Sequence, residues 1–316
     1  LILKMDYWKQ LTISKNNFPL VSILMNCYNG EKFLKNSLLS ILDQTYANWE
    51  IIFWDNLSTD KSADIFKSFK DDRFKYYKAD NHTNLGDARA LAWNYIRGDY
   101  VAILDVDDMA NKVRIETQLN FFIKNKNLAA IGSYCEIINE DNKIILNQKL
   151  PLKYLELKDL LLWYYPFNSV TVMYNKKCVD DVGGYNNKFK MINDYDLMLR
   201  LSKKFEVINV STFLGKNRQH KNNLSFLMKL DGQLELLELL KKNLSDTKNV
   251  FFIKKIKKSL SIVSLRVAYY SLKNINIPTF LKYTYLSIMF DIRILKFIFT
   301  FSKKSKEEYI SELNTI

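Results

Sequence analysis

The stretch that decides the fold is Tyr100-Val101-Ala102-Ile103-Leu104-Asp105-Val106-Asp107-Asp108. Its first five residues form an unbroken apolar run, which predicts a strand buried on both faces, as in a parallel sheet. Carboxylates crowded at the carboxyl end of such a strand repel one another and lose solvation, and a bound cation relieves both costs. Open α/β sheets bind their ligands at that edge. Taken alone, the motif fits equally a solvated acidic turn that caps the strand.

The residues before this stretch alternate between strand and helix patterns. Apolar runs predict three more strands, at 21–25, 49–54 and 74–77. Helices are predicted between the strands at about 31–44, 60–69 and 84–96. This alternation implies right-handed crossovers and a parallel sheet. Because the strands end at Asn26, Asp55 and Asp105, their polar side chains are expected to converge on one crevice.

After Asp108 the pattern becomes mixed. The predicted elements are a helix at 113–122, a strand at 129–134, a hairpin across 136–146, a helix over 151–165, a strand at 169–174, a turn at 183–185 and a helix at 194–203. Long helical patterns dominate from residue 225 onward. We therefore predict a lead-in at 1–18, a catalytic-type α/β domain at 19–225 and a basic helical region at 226–316.

Composition restricts the class of protein. The 316 residues are 48% hydrophobic, enough for a large core, and three cysteines without metal-ligand spacing fit a reducing compartment. The first residues lack the pattern of a signal peptide, and no apolar run approaches the ~18 residues of a spanning helix. The expected location is the cytoplasm, with possible attachment to the inner face of the cytoplasmic membrane.

The positive charge is concentrated near the C-terminus. Between Phe251 and Lys306 there are twelve Lys or Arg residues and one acidic residue, against a net charge of +13 for the whole chain. Such an excess suggests an anionic partner. Helices that mix basic and large apolar residues lie on anionic membranes, but they also pack as bundles with lysines on the wet face. Both readings stay open, and we expect no nucleic acid because no DNA- or RNA-reading motif is present.

Six ordered blocks resemble family 2 glycosyltransferases of the GT-A fold. The blocks are 21–30 (VSILMNCYNG), 54–60 (WDNLSTD), 98–108 (GDYVAILDVDD), 183–185 (GGY), 193–197 (NDYDL) and 218–220 (RQH). The resemblance implies a nucleotide-sugar-binding, Rossmann-like α/β fold with a mostly parallel central sheet, followed by a C-terminal helical segment. Six blocks in order are much more specific than any one of them.

The resemblance also implies roles for particular residues. Asp55 would accept a hydrogen bond from the nucleotide base, and Asp105 would contact the ribose or the sugar. Asp107 would bind Mg²⁺ or Mn²⁺ with help from His220, since hard oxygen ligands suit a hard cation. The whole set implied to bind the nucleotide-sugar is Asn26, Tyr28, Asn29, Asp55, Asn56, Arg89, Asp105 and Arg218.

Asp194 is the implied general base, which would deprotonate the hydroxyl group of the acceptor. The block containing it departs from the family in one position, because Asn193 stands where relatives carry Glu or Asp. On local sequence alone, a carboxylate that stabilises a helix N-terminus would be the better interpretation of Asp194. The five other blocks in the same order favour the general base instead.

These residues predict an inverting, metal-dependent transferase. It would move a sugar from a nucleotide-sugar, with a UDP-sugar as the leading donor, to a glycan or lipid-linked acceptor in surface polysaccharide biosynthesis. The alternative on the same fold is a catalytically silent subunit that binds glycan or nucleotide-sugar. A nucleotidyltransferase is disfavoured because residues 26–30 lack its basic, glycine-rich loop.

Overall fold

The structure is a computed structural model that describes residues 19–185, 188–223 and 229–293. These residues divide into two compact units. The first, called here the sheet unit, comprises residues 19–158 and 166–220, and the second, the helical unit, comprises residues 159–165 and the described residues after 220. The predicted lead-in at 1–18 and the predicted boundary at 225 lie outside the described residues.

The sheet unit is built on a mixed sheet. Its strands are β1 Val21–Cys27, β2 Trp49–Asp55, β3 Phe74–Lys78, β4 Tyr100–Ile103, β5 Met109–Ala110, β6 Leu128–Ile138, β7 Ile144–Gln148, β8 Met173–Asn175 and β9 Glu206–Arg218. Their spatial order is β3-β2-β1-β4-β8-β6-β9-β5, with β7 paired to β6. The pairs among β1 to β4 are parallel, whereas β8 runs antiparallel to β4 and β6.

Helices cover the sheet and continue beyond it. They are α1 Glu31–Leu42, α2 Ser62–Ser68, α3 Leu85–Trp93, α4 Arg114–Lys124, α5 Tyr154–Leu160, α6 Lys176–Asp181, α7 Asn193–Lys204, α8 Lys229–Asp246, α9 Val250–Lys273 and α10 Ile277–Phe290. The last three helices form the helical unit, with an apolar core made by Leu237, Leu240, Ile256, Leu260, Val263 and Val267. Among the described residues, no helix has the length and apolarity needed to cross a bilayer.

The predicted α/β class and the parallel first half of the sheet are confirmed. β1 and β2 pair in register so that Cys27 lies beside Asp55, and the carboxyl ends of these strands therefore meet. Both strands are buried along almost their whole length, as their continuous apolar runs indicated. The turn of the predicted hairpin is also present, and Asn142 occupies a left-handed conformation in it.

The second half differs from the prediction in several places. The expected strand at 169–174 is a 3-10 turn, Ser169–Thr171, followed by the short β8. The expected helix over 151–165 is limited to α5, and α6 and β9 were not predicted. The sequence pattern does not predict β9 because its polar residues and its register shifts against β6 interrupt any simple alternation of apolar and polar residues.

Gly98 is required by close packing where the chain enters β4. A Cβ atom at this position would lie 2.6 Å from the backbone nitrogen of Ser22 and 2.7 Å from the carbonyl oxygen of Leu20. We expect Gly98→Ala to lower the free energy of unfolding by roughly 1–3 kcal/mol, since the backbone must shift. Chemical denaturation would measure it, with Lys35→Ala on the exposed side of α1 as the control. Equal stability of Gly98→Ala and the parent would contradict this packing.

Candidate active site

Two buried donors lie side by side where β1 and β2 end. The sheet register pairs Asn26 with Trp54. Within the described residues, Asn26 Nδ2 and Trp54 Nε1 are buried and have no hydrogen-bond partner. Buried donors without acceptors are costly, so a site that presents two of them suits a ligand rich in oxygen atoms. Asn26 was predicted to bind a nucleotide-sugar, whereas Trp54 was not singled out.

Asp55 fixes the loop that follows β2. Its side chain is almost fully buried, and its Oδ1 accepts a hydrogen bond of 2.7 Å from the backbone nitrogen of Ser58. The hydroxyl of Tyr76 donates to Asp55 Oδ2 over 2.5 Å. Burial and this hydrogen bond raise the pKa of Tyr76, so its hydroxyl keeps its proton. Asp55 thus has a structural role, and its contact with a nucleotide base stays a prediction.

Asn56 and Asn29 also hold loops in place. Asn56 Nδ2 donates to the carbonyl oxygen of Thr83 over 2.7 Å, and Asn56 Oδ1 accepts from the Thr83 nitrogen at 3.1 Å. Asn29 has a φ angle of 54°, a left-handed conformation that asparagine tolerates better than most residues. Its Oδ1 accepts from the backbone nitrogen of Thr59 at 2.8 Å. Both predicted ligand residues therefore shape the edge of the crevice, and their contact with a ligand remains untested.

An exposed aromatic pair stands at the same edge. The rings of Tyr28 and His82 lie 4.2 Å apart between centroids, and Tyr28 is 53% exposed. His82 Nδ1 lies 2.9 Å from the carbonyl oxygen of Asn56, and since a carbonyl only accepts, this nitrogen carries a proton. Tyr28 was predicted from its block, but His82 was missed. No local pattern marks His82, because its loop reaches Tyr28 only through the pairing of β2 with β3.

A buried arginine bonds to two carboxylates that come from different parts of the chain. Arg89 on α3 is 3% exposed, and its Nη1 donates to Asp194 Oδ2 over 2.6 Å. Its Nη2 donates to Asp105 Oδ1 over 3.3 Å. Burial acts to lower the pKa of Arg89, but Asp194 and Asp105 outweigh it and raise that pKa above its ordinary value. The guanidinium of Arg89 thus orients two carboxylates, and its predicted contact with a nucleotide-sugar remains untested.

Asn193 completes the arrangement around this arginine. Its Oδ1 accepts from Arg89 Nη1 over 2.9 Å, and its Nδ2 donates to the carbonyl oxygen of Lys190 over 3.1 Å. A Cβ atom on Gly86 would come within 2.7 Å of the Phe189 carbonyl oxygen and 3.2 Å of Asn193 Nδ2, so this packing requires a glycine. Asn193, which stands where the family usually has Glu or Asp, therefore supplies an uncharged oxygen that accepts a hydrogen bond from Arg89.

Asp194 lies in the first turn of α7 and is partly accessible. Its side chain is 13% exposed, and the Tyr185 hydroxyl donates to its Oδ1 over 3.0 Å. Each carboxylate oxygen therefore has one partner, and an ionised carboxylate retains lone pairs for a further donor. An acceptor hydroxyl could be such a donor. The predicted base and the Asp105 carboxylate thus both accept hydrogen bonds from the same guanidinium, that of Arg89.

The two predicted metal ligands are neighbours. His220 Nε2 lies 2.8 Å from Asp107 Oδ2, and both side chains are largely buried. Adjacent ligands of an octahedral Mg²⁺ ion stand about 3 Å apart, so the two atoms fit one cation. Across the described ranges, no three His, Cys, Asp or Glu side chains form a metal cluster. Two protein ligands still suit a cation that is bound partly through substrate phosphates.

Asp108 and Arg218 hold the loop behind these ligands. Asp108 Oδ1 accepts from the backbone nitrogen of Arg218 over 2.7 Å, and burial followed by repulsion from Asp107 raises the pKa of Asp108 well above its ordinary value. The Arg218 guanidinium is buried and donates to the carbonyl oxygen of Asp107 over 2.8 Å and to that of Asn139 over 3.0 Å. Arg218 thus positions the loop that carries Asp107, and its predicted contact with a nucleotide-sugar remains untested.

Comparison with known proteins identifies this arrangement. The family model of Glycosyl transferase family 2 matches residues 22–183, just over half of the chain. The chain belongs to glycosyltransferase family 2. It is a transferase with the GT-A fold, as the resemblance implied.

A named relative agrees with this assignment. The Escherichia coli protein named UDP-Glc:alpha-D-GlcNAc-diphosphoundecaprenol beta-1,3-glucosyltransferase WfgD is 36% identical over 134 residues, which are 42% of this chain. That alignment covers 53% of WfgD, so the match spans about half of that relative.

Two solved structures share the fold of this family 2 glycosyltransferase. TarS of S. aureus, in complex with UDP-GlcNAc, superposes with a TM-score of 0.57 at 14% identity, over 82% of this chain and 89% of that chain. The mannosyltransferase PcManGT of Pyrobaculum calidifontis, in complex with GDP-Man and Mn²⁺, gives a TM-score of 0.58 at 13% identity, over 99% and 85% of the two chains. At these identities, the likeness concerns the fold alone.

Proposed function

We propose that this chain is an inverting, metal-dependent glycosyltransferase that uses a nucleotide-sugar, with a UDP-sugar as the leading donor. The acceptor is a hydroxyl of a glycan or lipid-linked sugar, as in the assembly of surface polysaccharides at the cytoplasmic face of a membrane. The single observation that carries the proposal is the Arg89 guanidinium, which places Asp194 next to Asp105 of the acidic stretch. The names of WfgD and TarS support the substrate class.

The donor would lie against the carboxyl ends of β1, β2 and β4. Tyr28 and His82 offer an exposed aromatic surface for a base, and the free donors on Asn26 and Trp54 suit oxygen atoms of the nucleotide. Asp107 and His220 would hold Mg²⁺ or Mn²⁺, which would neutralise the charge of the departing diphosphate.

Asp194 would act on the acceptor. Its carboxylate accepts the proton of the attacking hydroxyl, and the oxygen then bonds to the anomeric carbon on the side opposite the leaving nucleoside diphosphate. The bond to the diphosphate oxygen breaks with its electron pair, and the configuration at the anomeric carbon is inverted. Arg89 and Tyr185 hold the carboxylate in one orientation throughout.

A donor screen tests the proposal directly. The protein would be incubated with Mn²⁺ and a panel of UDP-, GDP- and TDP-sugars, and mass spectrometry would detect the released nucleotide. We expect turnover with one UDP-sugar, enhanced by a lipid-linked or short soluble glycan acceptor. Binding of UDP and Mn²⁺ without turnover of any donor would instead favour the silent binding subunit.

Arg89 offers a second test, because lysine cannot reproduce its bridge. Arg89→Lys keeps the charge but has one nitrogen, which cannot reach Asp194 and Asp105 together. We expect kcat to fall about 10–100-fold, as for other residues that orient a catalytic group, with a smaller change in KM for the donor. The matched control is Arg97→Lys, whose guanidinium pairs with Glu50 away from the crevice. An unchanged kcat in a folded Arg89→Lys protein would remove Arg89 from the mechanism.

A further inference from the structure

The helical unit carries an apolar stripe on the exposed side of α10. Leu281, Tyr285 and Met289 follow one another at a spacing of four residues, and Ile292 follows after three more. Their exposed fractions are 59%, 62%, 63% and 67%. Residues at this spacing share one face of a helix, so Leu281, Tyr285 and Met289 form a stripe along α10, and Ile292 lies just past the end of the helix.

The opposite face of α10 is the one that packs. Ser287 is fully buried, and the Ser261 hydroxyl of α9 donates to its carbonyl oxygen over 2.7 Å. Tyr283 and Phe290 pack against the apolar core of the helical unit. The outward face of a helix in water normally carries charged residues, but the sole charged residue of α10 is Lys282. The stripe therefore resembles a face that meets an apolar partner.

A basic groove lies beside the end of α10. It has a volume of about 290 Å³, and its lining includes the apolar residues Val250, Ile253 and Phe290 and the basic residues Lys254 and Lys257. Both lysines are exposed, and neither forms an ion pair with any residue in the described part of the chain. The third cation, Arg293, pairs with Asp291, the one acid of the lining, through a hydrogen bond of 2.7 Å from Nε.

The charge around this groove is not balanced. Residues 250–293 contain eight Lys or Arg residues and one acidic residue, a net charge of +7. Burial, together with the nearby cations Lys255 and Arg293, lowers the pKa of Lys258. An anion in the groove would relieve this repulsion. Exposed apolar side chains and unpaired cations within one helical unit are the composition of a surface that lies on anionic lipid.

We propose that the α10 stripe and the adjoining groove dock the protein on a membrane that contains anionic phospholipid. The stripe enters the boundary between headgroups and acyl chains, and Lys254 and Lys257 bind lipid phosphate. The inference deepens the proposed function, on which it rests for the lipid-linked acceptor that such a membrane would carry. A second copy is a poorer occupant because two copies of a segment with a net charge of +7 repel each other, and nucleic acid offers nothing apolar for the stripe.

The test is co-sedimentation of the full chain with vesicles. Vesicles of phosphatidylcholine with about 30% phosphatidylglycerol would be compared with pure phosphatidylcholine at low salt, since the negative surface potential of anionic lipid attracts nearby lysines. We expect binding to the anionic vesicles only. Lys254→Gln with Lys257→Gln should weaken it about 30-fold, since each lysine near an anionic surface contributes about fivefold. Added salt should weaken it as well.

A second variant removes the stripe while keeping every charge. It combines Leu281→Ser, Tyr285→Ser and Met289→Ser, and we expect binding to anionic vesicles to fall at least tenfold, about 0.8 kcal/mol being lost with each buried methylene. Two controls match these changes. Lys241→Gln with Lys242→Gln alters the same charge on exposed positions of α8, and serine at 144–146 alters three exposed apolar residues of β7. Both controls should bind like the parent.

Several results would overturn the inference. One is equal vesicle binding by the parent, the lysine variant and the stripe variant, and another is parental binding to neutral and anionic vesicles alike. A third is a dimer of the parent, seen by light scattering, that the stripe variant does not form, together with no binding of the parent to vesicles. Retention on DNA in place of vesicles is a fourth. Vesicle binding requires no turnover, so its outcome is independent of the donor screen that tests the proposed function.

Discussion

Asp107→Ala is expected to abolish sugar transfer while the fold survives. Asp107 Oδ2 and His220 Nε2 are the two neighbouring atoms that suit one cation, and alanine removes the only negative charge of the pair. Without the cation, the charge that develops on the departing diphosphate is not neutralised. EDTA should have the same effect on the parent protein. The assay is release of nucleotide from the donor found in the screen, with circular dichroism to verify folding.

A binding measurement makes the Asp107 prediction specific. In calorimetry, Mn²⁺ should tighten the binding of UDP to the parent but not to Asp107→Ala. The matched control is Asp99→Ala, which removes an exposed carboxylate at the opposite end of β4 and should leave both activity and the effect of Mn²⁺ unchanged. Undiminished turnover in EDTA would show that the metal role assigned to Asp107 and His220 is wrong.

Asp194→Asn is expected to lower turnover by roughly 10²–10⁴, because an amide cannot take a proton from the acceptor hydroxyl. The local structure should survive the change. The amide oxygen can still accept from Arg89 Nη1, and the amide nitrogen can donate to the Tyr185 hydroxyl, which also has acceptor lone pairs. Donor affinity should hardly change, since the proposed base would act on the acceptor.

The neighbouring carboxylate of α7 supplies the control for Asp194. Asp196 lies in the same first turn and pairs with Arg200, whose Nε is 2.9 Å from Asp196 Oδ2. Asp196→Asn should therefore change turnover little. Single-turnover kinetics and equilibrium binding of UDP would separate catalysis from affinity. If donor binding collapsed in Asp194→Asn, Asp194 would bind the nucleotide or support the structure, and its assignment as the general base would be wrong.

The first half of the fold could be predicted from the sequence because its signals are local. β1, β2 and β4 are apolar runs that end in polar residues, and the periods of the intervening helices are regular. The strand at 169–174 and the long β9 could not be assigned in this way. Thr171 forms a turn because its hydroxyl bonds to the backbone of Ser133 and Asn168, partners that no local pattern indicates.

The sequence also indicated which residues gather at the site, but not what each one contacts. Asn56 and Arg218 form hydrogen bonds to other loops, including backbone carbonyl oxygens, so these two residues shape the crevice. His82 enters the site through strand pairing alone, and Trp54 is recognisable only as a buried donor without a partner. Such roles depend on distances between segments that are far apart in the chain.

By itself, the sequence determined the family, the parallel strands and the edge at which their polar ends meet. The tertiary structure decided that Arg89 stands between Asp105 and Asp194, which come from β4's carboxyl end and from α7. A buried guanidinium needs acceptors for its hydrogens, and for Arg89 two carboxylates also compensate the charge. That compensation requires residues separated by up to 105 positions to converge, so it is a property of the folded chain and of no local segment.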